Sequence, residues 1–162
     1  MKTRENSIKG IAVKQPYAWA LLNGKGIENR TKPFHYSGLL LIHASKKVEP
    51  WYWNYGVEVC QKNGLTVPPK DQLFFGGLIG VVDMTGCTYP KKVEGWGMSD
   101  HWHWHVGNPR TFKTPIPYVG KLWTMDIDLT LAEINALVAG EPVNYLGSDP
   151  LIQMFFEGEK AA

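Results

Sequence analysis

Apolar runs of strand length alternate with turn-forming residues along most of the chain, and they predict a mainly β domain. Each run is short and is bounded by glycine, proline or polar residues, which favours a strand over a helix. The predicted strands are residues 8–14, 38–44, 76–86, 101–106 and 120–128. The glycines within 76–86 indicate a bulge or a barrel corner. The three prolines of NPRTFKTPIP, at 108–117, predict an irregular segment there.

Three helices are predicted between and after these strands. Pro16 suits the first position of a short helix, and Pro50 suits that of a longer one. Thr130 and Glu133 form a capping box at the start of the third helix, which Gly140 ends. Strands separated by turns, with helices inserted, predict a mixed α+β domain with a small barrel rather than a doubly wound parallel sheet.

Composition narrows the classes of function. The 162 residues suit one domain, and the 17 basic and 15 acidic residues leave a net charge of +2. This is not the strongly basic footprint of a duplex-binding protein, so any nucleic-acid contact is expected to be local, weak and only shallowly salt-dependent. Seven Trp, seven Tyr and six Phe can fill a core or stack on flat ligands such as bases.

The cysteines and the apolar segments indicate the cellular compartment in which the protein is expected. Cys60 and Cys87 lack CxxC spacing and make no disulfide framework, so they are interpreted as reduced thiols. The sequence contains no signal-peptide pattern and no apolar stretch of the roughly 18 residues that a membrane span needs. A cytosolic protein without a membrane anchor is therefore expected.

The densest cluster of charged residues is NGKGIENRT, at 23–31. Glu28 and Arg30 are two positions apart and share a face in an extended chain, and Lys25 can fold back toward them from the turn. One interpretation is a surface salt-bridge cluster worth about 0–1 kcal/mol. The other is a site that presents a guanidinium fork, an ammonium group and a carboxylate to a ligand.

The segment HWHWH, at 101–105, raises the question of a metal site. In a strand its three histidines share one face, but the outer two are about 13 Å apart and cannot bind one ion. The chain supplies no HExxH or Cys/His pattern for a third ligand. The segment therefore predicts a strand with its tryptophans inward and its histidines toward solvent or a cleft rim. We expect neither a metal nor another cofactor.

The stretch QPYAWALLNGKGIENRT resembles the opening motif of ASCH domains, the ASC-1-homology members of the PUA-like superfamily. Lys25, Glu28 and Arg30 fall on the Lys, Glu and Arg of the pattern Gly-x-Lys-x-x-Glu-x-Arg, and Asn23, followed by Gly24, stands at its glycine. The segments YSGLLLIHASKK, FFGGLIGVVDMTGC, SDHWHWHV and GKLWTMD are similar to later parts of such domains. The resemblance therefore covers roughly residues 8–128.

This resemblance implies a PUA-like β-barrel of five to six strands with flanking helices over residues 1–128. Residues 129–162 are then a C-terminal helical extension packed on or beside the barrel. Members are thought to bind RNA or modified nucleosides in a cleft next to the motif, and some are hydrolases. In a branch resembling acetylated-cytidine amidohydrolases, a nucleophilic Thr occupies the position that is Glu28 here.

Around this cleft, Tyr17 or Trp19 can stack on a base, although Trp19 fits a core position equally well. His43 has the ordinary alternative role of a satisfied core histidine. Lys46 with Lys47 forms a small basic patch, and Ser99 suits ligand contact better than nucleophilic attack. The predicted ligand-binding residues are Gln15, Pro16, Tyr17, Trp19, Lys25, Glu28, Arg30, His43, Ser45, Lys46 and Ser99.

The leading hypothesis is a nucleic-acid-binding module for single-stranded RNA, a nucleotide or a modified nucleoside. The alternative is a metal-independent hydrolase acting on RNA or an acetylated cytidine. In that case Lys25 and Glu28 are the catalytic residues, with Glu28 as general base and Lys25 as electrostatic stabiliser. A third hypothesis is a protein partner or a homodimer contact through residues 150–157, where Phe155 and Phe156 lie.

Overall fold

A computed structural model of the protein describes residues 7–143. These residues form a mixed α/β fold around one sheet of six strands. The strands are β1 (Ile8–Val13), β2 (Ile27–Arg30), β3 (Gly38–Ala44), β4 (Gly77–Thr88), β5 (Trp102–Pro117) and β6 (Thr124–Ile127). Their order across the sheet is β2-β5-β4-β3-β1-β6. The pair β1 and β3 is parallel and the other neighbours are antiparallel. Within residues 7–143 no strand pairing joins β2 to β6, so the predicted barrel is not confirmed.

The three predicted helices are present as α1 (Tyr17–Leu21), α2 (Pro50–Lys62) and α3 (Leu131–Ala139). Pro50 occupies the first turn of α2, where a missing N–H costs nothing. The hydroxyl of Thr130 accepts a hydrogen bond from the backbone of Glu133, whose carboxylate accepts one from Thr130 in return. Gly140 follows α3 in the left-handed conformation, with φ 77°. The predicted capping box and helix end are both confirmed.

The sheet is covered on both faces, and β3 shows how. Leu40 and Ile42 point to one side and pack into a cluster with Leu21 of α1. Leu41 points to the other side and packs into a second cluster with Ile134 of α3. Fully burying such a side chain contributes about 2 kcal/mol, so an uninterrupted apolar run is favoured in a strand enclosed in this way. The helix α3 thus lies against the sheet, and residues 144–162, which include the predicted contact surface at 150–157, lie outside the described residues.

The prediction that residues 108–117 are irregular is wrong, because β5 continues through all three prolines. The ladder with β4 shifts register between Val81 and Asp83 and again between Leu78 and Gly80. Pro109 and Pro115 fall within these shifts and have no partner residue in the ladder. A proline is tolerated at a bulge or on an edge because it removes no ladder hydrogen bond there.

Glycines on β4 permit the close approach of neighbouring chain that these shifts require. A Cβ atom on Gly80 would lie 2.6 Å from the carbonyl oxygen of Arg110 and 2.7 Å from a methyl group of Leu22. The expectation that the glycines of this strand mark bulges is therefore confirmed.

Candidate binding cleft

A large cleft of about 1160 Å³ opens beside the charged segment of β2. Its walls come from β1 and β2, the end of β3, one face of α2, and the loops at residues 95–98 and 119–122. This volume accommodates a ligand larger than one nucleoside.

Lys25, Glu28 and Arg30 meet at the floor of this cleft. The Lys25 Nζ lies 3.2 Å from Glu28 Oε2, and Arg30 Nε donates to Glu28 Oε1 at 3.0 Å. Lys25 is only 3% exposed and Glu28 only 7%. The interpretation as a surface salt-bridge cluster is therefore wrong. Removal of the carboxylate from such a cluster leaves two cations without their counterion and strongly destabilises the folded protein.

Local backbone geometry explains why the three groups converge. After α1 the chain turns at Gly24, with φ 111°, and the backbone N–H of Lys25 donates to the carbonyl of Ala20 at 2.9 Å. The positive φ falls on Gly24 rather than on Asn23, so the turn does not depend on the residue that departs from the ASCH-type pattern. The guanidinium of Arg30 also donates to the carbonyl of Ala12 at 2.9 Å, which ties β2 to β1.

The ammonium of Lys25 uses two of its three N–H donors within residues 7–143. One bonds Glu28 and another bonds the carbonyl of Ile27 at 2.6 Å. The Nζ lies 5.4 Å from the ring centroid of Tyr17 and 6.0 Å from that of Trp96.

Two tyrosines of the cleft stay protonated. Burial raises the pKa of Tyr17 well above its usual value and also raises the pKa of Tyr52. These phenols are therefore neutral hydrogen-bonding groups at neutral pH.

The residues that line the cleft are strongly unbalanced in charge. Six are cationic and one, Glu28, is acidic, which leaves a local excess of five positive charges. The cationic lining residues are Lys14, Lys25, Arg30, Lys46, Lys62 and Lys121. Six of the 17 basic residues of the chain thus line one opening, and one of them, Lys14, is paired at 2.9 Å with Glu49, which lies outside the lining.

The loop that carries Trp96 is fixed by side chains beneath it. Asn29 donates through Nδ2 to the Trp96 carbonyl at 2.9 Å and accepts through Oδ1 from the Met98 N–H at 2.9 Å. His103 is 4% exposed, and its Nε2 lies 3.1 Å from the Met98 carbonyl. The prediction that the histidines of HWHWH face solvent or the rim is therefore wrong for His103, because this loop covers it. The inward orientation predicted for the tryptophans is confirmed for Trp104, which is fully buried in the core, whereas Trp102 is only half-buried and packs against the edge of the same cluster.

His43 also lines the cleft, where it pairs with Ala12 across the β1–β3 ladder, and it is 2% exposed. Its Nε2 is 2.6 Å from the Tyr118 carbonyl, so this nitrogen carries the hydrogen and Nδ1 is the acceptor of the neutral ring. Within residues 7–143, Nδ1 has no hydrogen-bond partner. Burial lowers the pKa of His43, which keeps the ring neutral at neutral pH. Gly120 packs directly over the ring, where a Cβ would lie 2.9 Å from Nδ1.

A sequence model of the ASCH domain matches residues 11–116. The chain belongs to the ASCH domain family. The match runs from β1 to the end of β5 and includes the whole Lys25–Glu28–Arg30 cluster. A search of curated proteins finds no match to this ASCH domain.

The structure brings most, but not all, of the predicted ligand-binding residues to the cleft of this ASCH domain. Those that line it are Tyr17, Lys25, Glu28, Arg30, His43, Ser45 and Lys46. Four others do not line it: Gln15, Pro16, Trp19 and Ser99. Gln15 is buried, and its amide accepts from the Trp19 N–H at 2.8 Å and donates to the Phe74 carbonyl at 3.1 Å. It thereby fixes the start of α1.

Sequence reasoning missed the contribution of α2. Tyr52, Tyr55, Val59 and Lys62 line the cleft and recur at intervals of three or four residues, which places them on one face of a helix. That spacing is visible in the sequence PWYWNYGVEVCQK and could have predicted a common helix face for these four side chains. Trp96 carries no comparable signal, since only the long-range contact with Asn29 brings it to the cleft.

No group of three or more His, Cys, Asp and Glu side chains in the part of the chain that the structure describes is arranged to hold a metal ion. No helix within residues 7–143 has the length and apolarity needed to cross a bilayer.

Proposed function

We propose that this ASCH domain binds single-stranded RNA, a nucleotide or a modified nucleoside in the cleft. The observation that carries the proposal is the buried Lys25–Glu28–Arg30 cluster at the floor of a cleft whose lining has an excess of five positive charges. An anionic ligand is favoured at such an opening, and the cluster supplies both donors and an acceptor to it.

The lining provides separate partners for a phosphate and for a base. Lys62 and Lys121 are positioned to neutralise phosphate charge along the cleft wall. Trp96 and Tyr52 offer aromatic surfaces, and stacking of a base on such a ring is worth about 1–3 kcal/mol. The third N–H of Lys25, which has no acceptor among residues 7–143, can meet a carbonyl of the base or a phosphate oxygen. We further propose that the protein acts in the cytosol, where the unpaired Cys60 and Cys87 remain reduced.

Binding is tested with uridine 5′-monophosphate, cytidine, acetylated cytidine and short single-stranded RNAs, followed by tryptophan fluorescence and filter binding. The informative variants are Trp96→Ala and Lys62→Ala, which lie on the cleft wall. Lys113→Ala is the matched control, since Lys113 is exposed beside Gly140 and does not line the cleft. We expect both cleft variants to weaken binding and the control to leave it unchanged. Absence of binding by the wild type to every probe contradicts the proposal.

The alternative function is hydrolysis of the same ligands by Lys25 and Glu28. The direct contact between the two groups favours it, because a buried ammonium beside a carboxylate can stabilise developing charge. Both Glu28 oxygens, however, already accept hydrogen bonds from cations, which suits a binding role better than abstraction of a proton from water. Incubation of labelled RNA and acetylated cytidine with the protein and a chelator separates the two functions. Turnover that is lost in Glu28→Gln, under conditions where circular dichroism shows the variant to be folded, supports the enzyme, and binding without turnover supports the module.

A further inference from the structure

A second, smaller recess of about 330 Å³ adjoins the cleft. It is lined by Lys46, Lys47, Val48, Lys70 and Phe75. Three of these five residues are lysines and none is acidic, so the recess has the same charge character as the cleft. Its floor also includes an aromatic ring, as the cleft does.

Lys46 lines both openings, so they are direct neighbours on the surface. The stem of Lys46 packs against Gly76, where a Cβ would lie 3.5 Å from the Cβ of Lys46. Gly76 has φ 82°, and its N–H donates to the Ala44 carbonyl at 2.8 Å. This turn holds Phe75 beside the end of β3, so the ring of the recess and the shared lysine are fixed relative to each other.

The third lysine is held by aromatic contacts. Lys70 Nζ lies 5.6 Å from the ring of Trp53 and 5.9 Å from the ring of Phe75. Contacts of this kind favour a cation over an aromatic face by about 0.5–1 kcal/mol at exposed sites. The ammonium of Lys70 is therefore kept near the mouth of the recess, where it can meet a phosphate while Phe75 supplies an apolar surface.

We propose that the recess is a second phosphate-and-base subsite for the ligand of the cleft, so that the ligand is a single strand longer than one nucleotide. The inference rests on the proposed function. The strand leaves the cleft at Lys46, and its next phosphates are met by Lys47 and Lys70. Phe75 is the stacking surface for a base at this end.

The size of the recess explains why its occupant is part of a longer ligand. Three exposed lysines around about 330 Å³ bind a free phosphate ion weakly, because each ammonium is a strongly hydrated point charge on a flexible stem. A phosphate joined to a nucleotide already held in the cleft reaches the same lysines at a high effective concentration. The recess therefore contributes affinity only to a ligand that spans both openings.

The test compares uridine 5′-monophosphate with a fluorescently labelled hexauridylate on the double variant Lys47→Ala/Lys70→Ala. Neither lysine lines the main cleft, so the variant leaves that site intact. The control is Lys91→Ala/Lys113→Ala, which removes the same charge from residues that line neither opening. Affinities are measured from about 20 to 200 mM salt.

For the hexamer we expect the recess variant to lose about tenfold in affinity at low salt, and its salt slope to fall by about 1.4, or 0.7 per lost phosphate contact. Mononucleotide binding is expected to be unchanged, and the control to behave as the wild type. Equal losses for both probes, no loss for the hexamer, or a wild type that binds both probes equally would overturn the inference while leaving the proposed function standing. Failure of the wild type to bind either probe would instead overturn the proposed function.

Discussion

The amide nitrogen of Asn29 donates a hydrogen bond of 2.9 Å to the carbonyl oxygen of Trp96, a residue 67 positions away in the sequence. Because the same amide also accepts from the Met98 N–H, one side chain holds three consecutive loop residues against β2. The indole of Trp96 is thereby kept in the cleft wall beside Lys25. Asn29 is a positioning residue for this wall.

We expect Asn29→Ala to weaken RNA binding because Trp96 loses its fixed orientation. The double variant Asn29→Ala/Trp96→Ala should bind no worse than Trp96→Ala alone, since Asn29 acts through that ring. Asn23→Ala is a suitable control, because Asn23 is exposed and outside the cleft lining. Additive losses in the double variant, measured by fluorescence titration, would contradict this role.

The buried charge cluster predicts a non-additive pattern of stability. Glu28→Gln leaves the cations of Lys25 and Arg30 without their counterion and should lower the free energy of unfolding by about 3 kcal/mol. Lys25→Met leaves the pair of Glu28 and Arg30 intact and should cost less. The double variant Glu28→Gln/Lys25→Met should lose less stability than the sum of the two single losses. The difference should be about 1 kcal/mol or more, because only one unpaired cation remains. Urea unfolding measures all three, and strict additivity would show that the groups are not coupled.

Stability should fall in mildly acidic solution because of His43. Burial lowers its pKa in the folded protein below the usual 6.5. Below about pH 6.5 the unfolded chain therefore takes up a proton that the folded protein does not, and the free energy of unfolding falls with pH until the folded pKa is reached. His43→Gln keeps an N–H that can donate to the Tyr118 carbonyl but does not titrate. Urea unfolding at about pH 7.5 and pH 5.5 should show a smaller decrease for this variant, and an unchanged decrease would assign the effect to other groups.

The capping box of α3 offers a stability change that leaves the cleft untouched. Thr130→Ala removes the acceptor for the Glu133 N–H and should cost about 1 kcal/mol. Glu133→Gln keeps a side-chain oxygen for the Thr130 N–H and should retain most of the stability. RNA affinity should be unchanged in both, because α3 packs on the sheet face opposite α1. A loss of RNA affinity in fully folded Thr130→Ala protein would contradict this prediction and show that α3 affects ligand binding.

Local signals were sufficient to predict most of the secondary structure. The prolines that open α1 and α2 and the capping box of α3 act within a few residues of the chain, so the sequence reveals them directly. The continuation of β5 through Pro109 and Pro115 could not be predicted in this way. Whether a proline is tolerated depends on the register of the partner strand, and that register is set by the distant glycines of β4.

In the candidate site, too, the features set by neighbouring residues were predicted and those set by long-range contacts were not. The short spacing of Lys25, Glu28 and Arg30 predicted their convergence, but not their burial, which comes from the neighbouring strands and from Trp96. Gln15 illustrates the converse, since its position in the motif suggested ligand contact whereas its amide is used by Trp19 and the Phe74 carbonyl. Which polar side chain serves the fold and which faces the cleft is decided by long-range contacts.

The distribution of charge around the cleft has a consequence for the rate of binding. Of the 17 basic residues of the chain six line this opening, whereas only one of its 15 acidic residues, Glu28, does so. An excess of one charge sign at an opening attracts ions of the opposite sign, so we expect a polyanion to associate with the cleft faster at low than at high ionic strength.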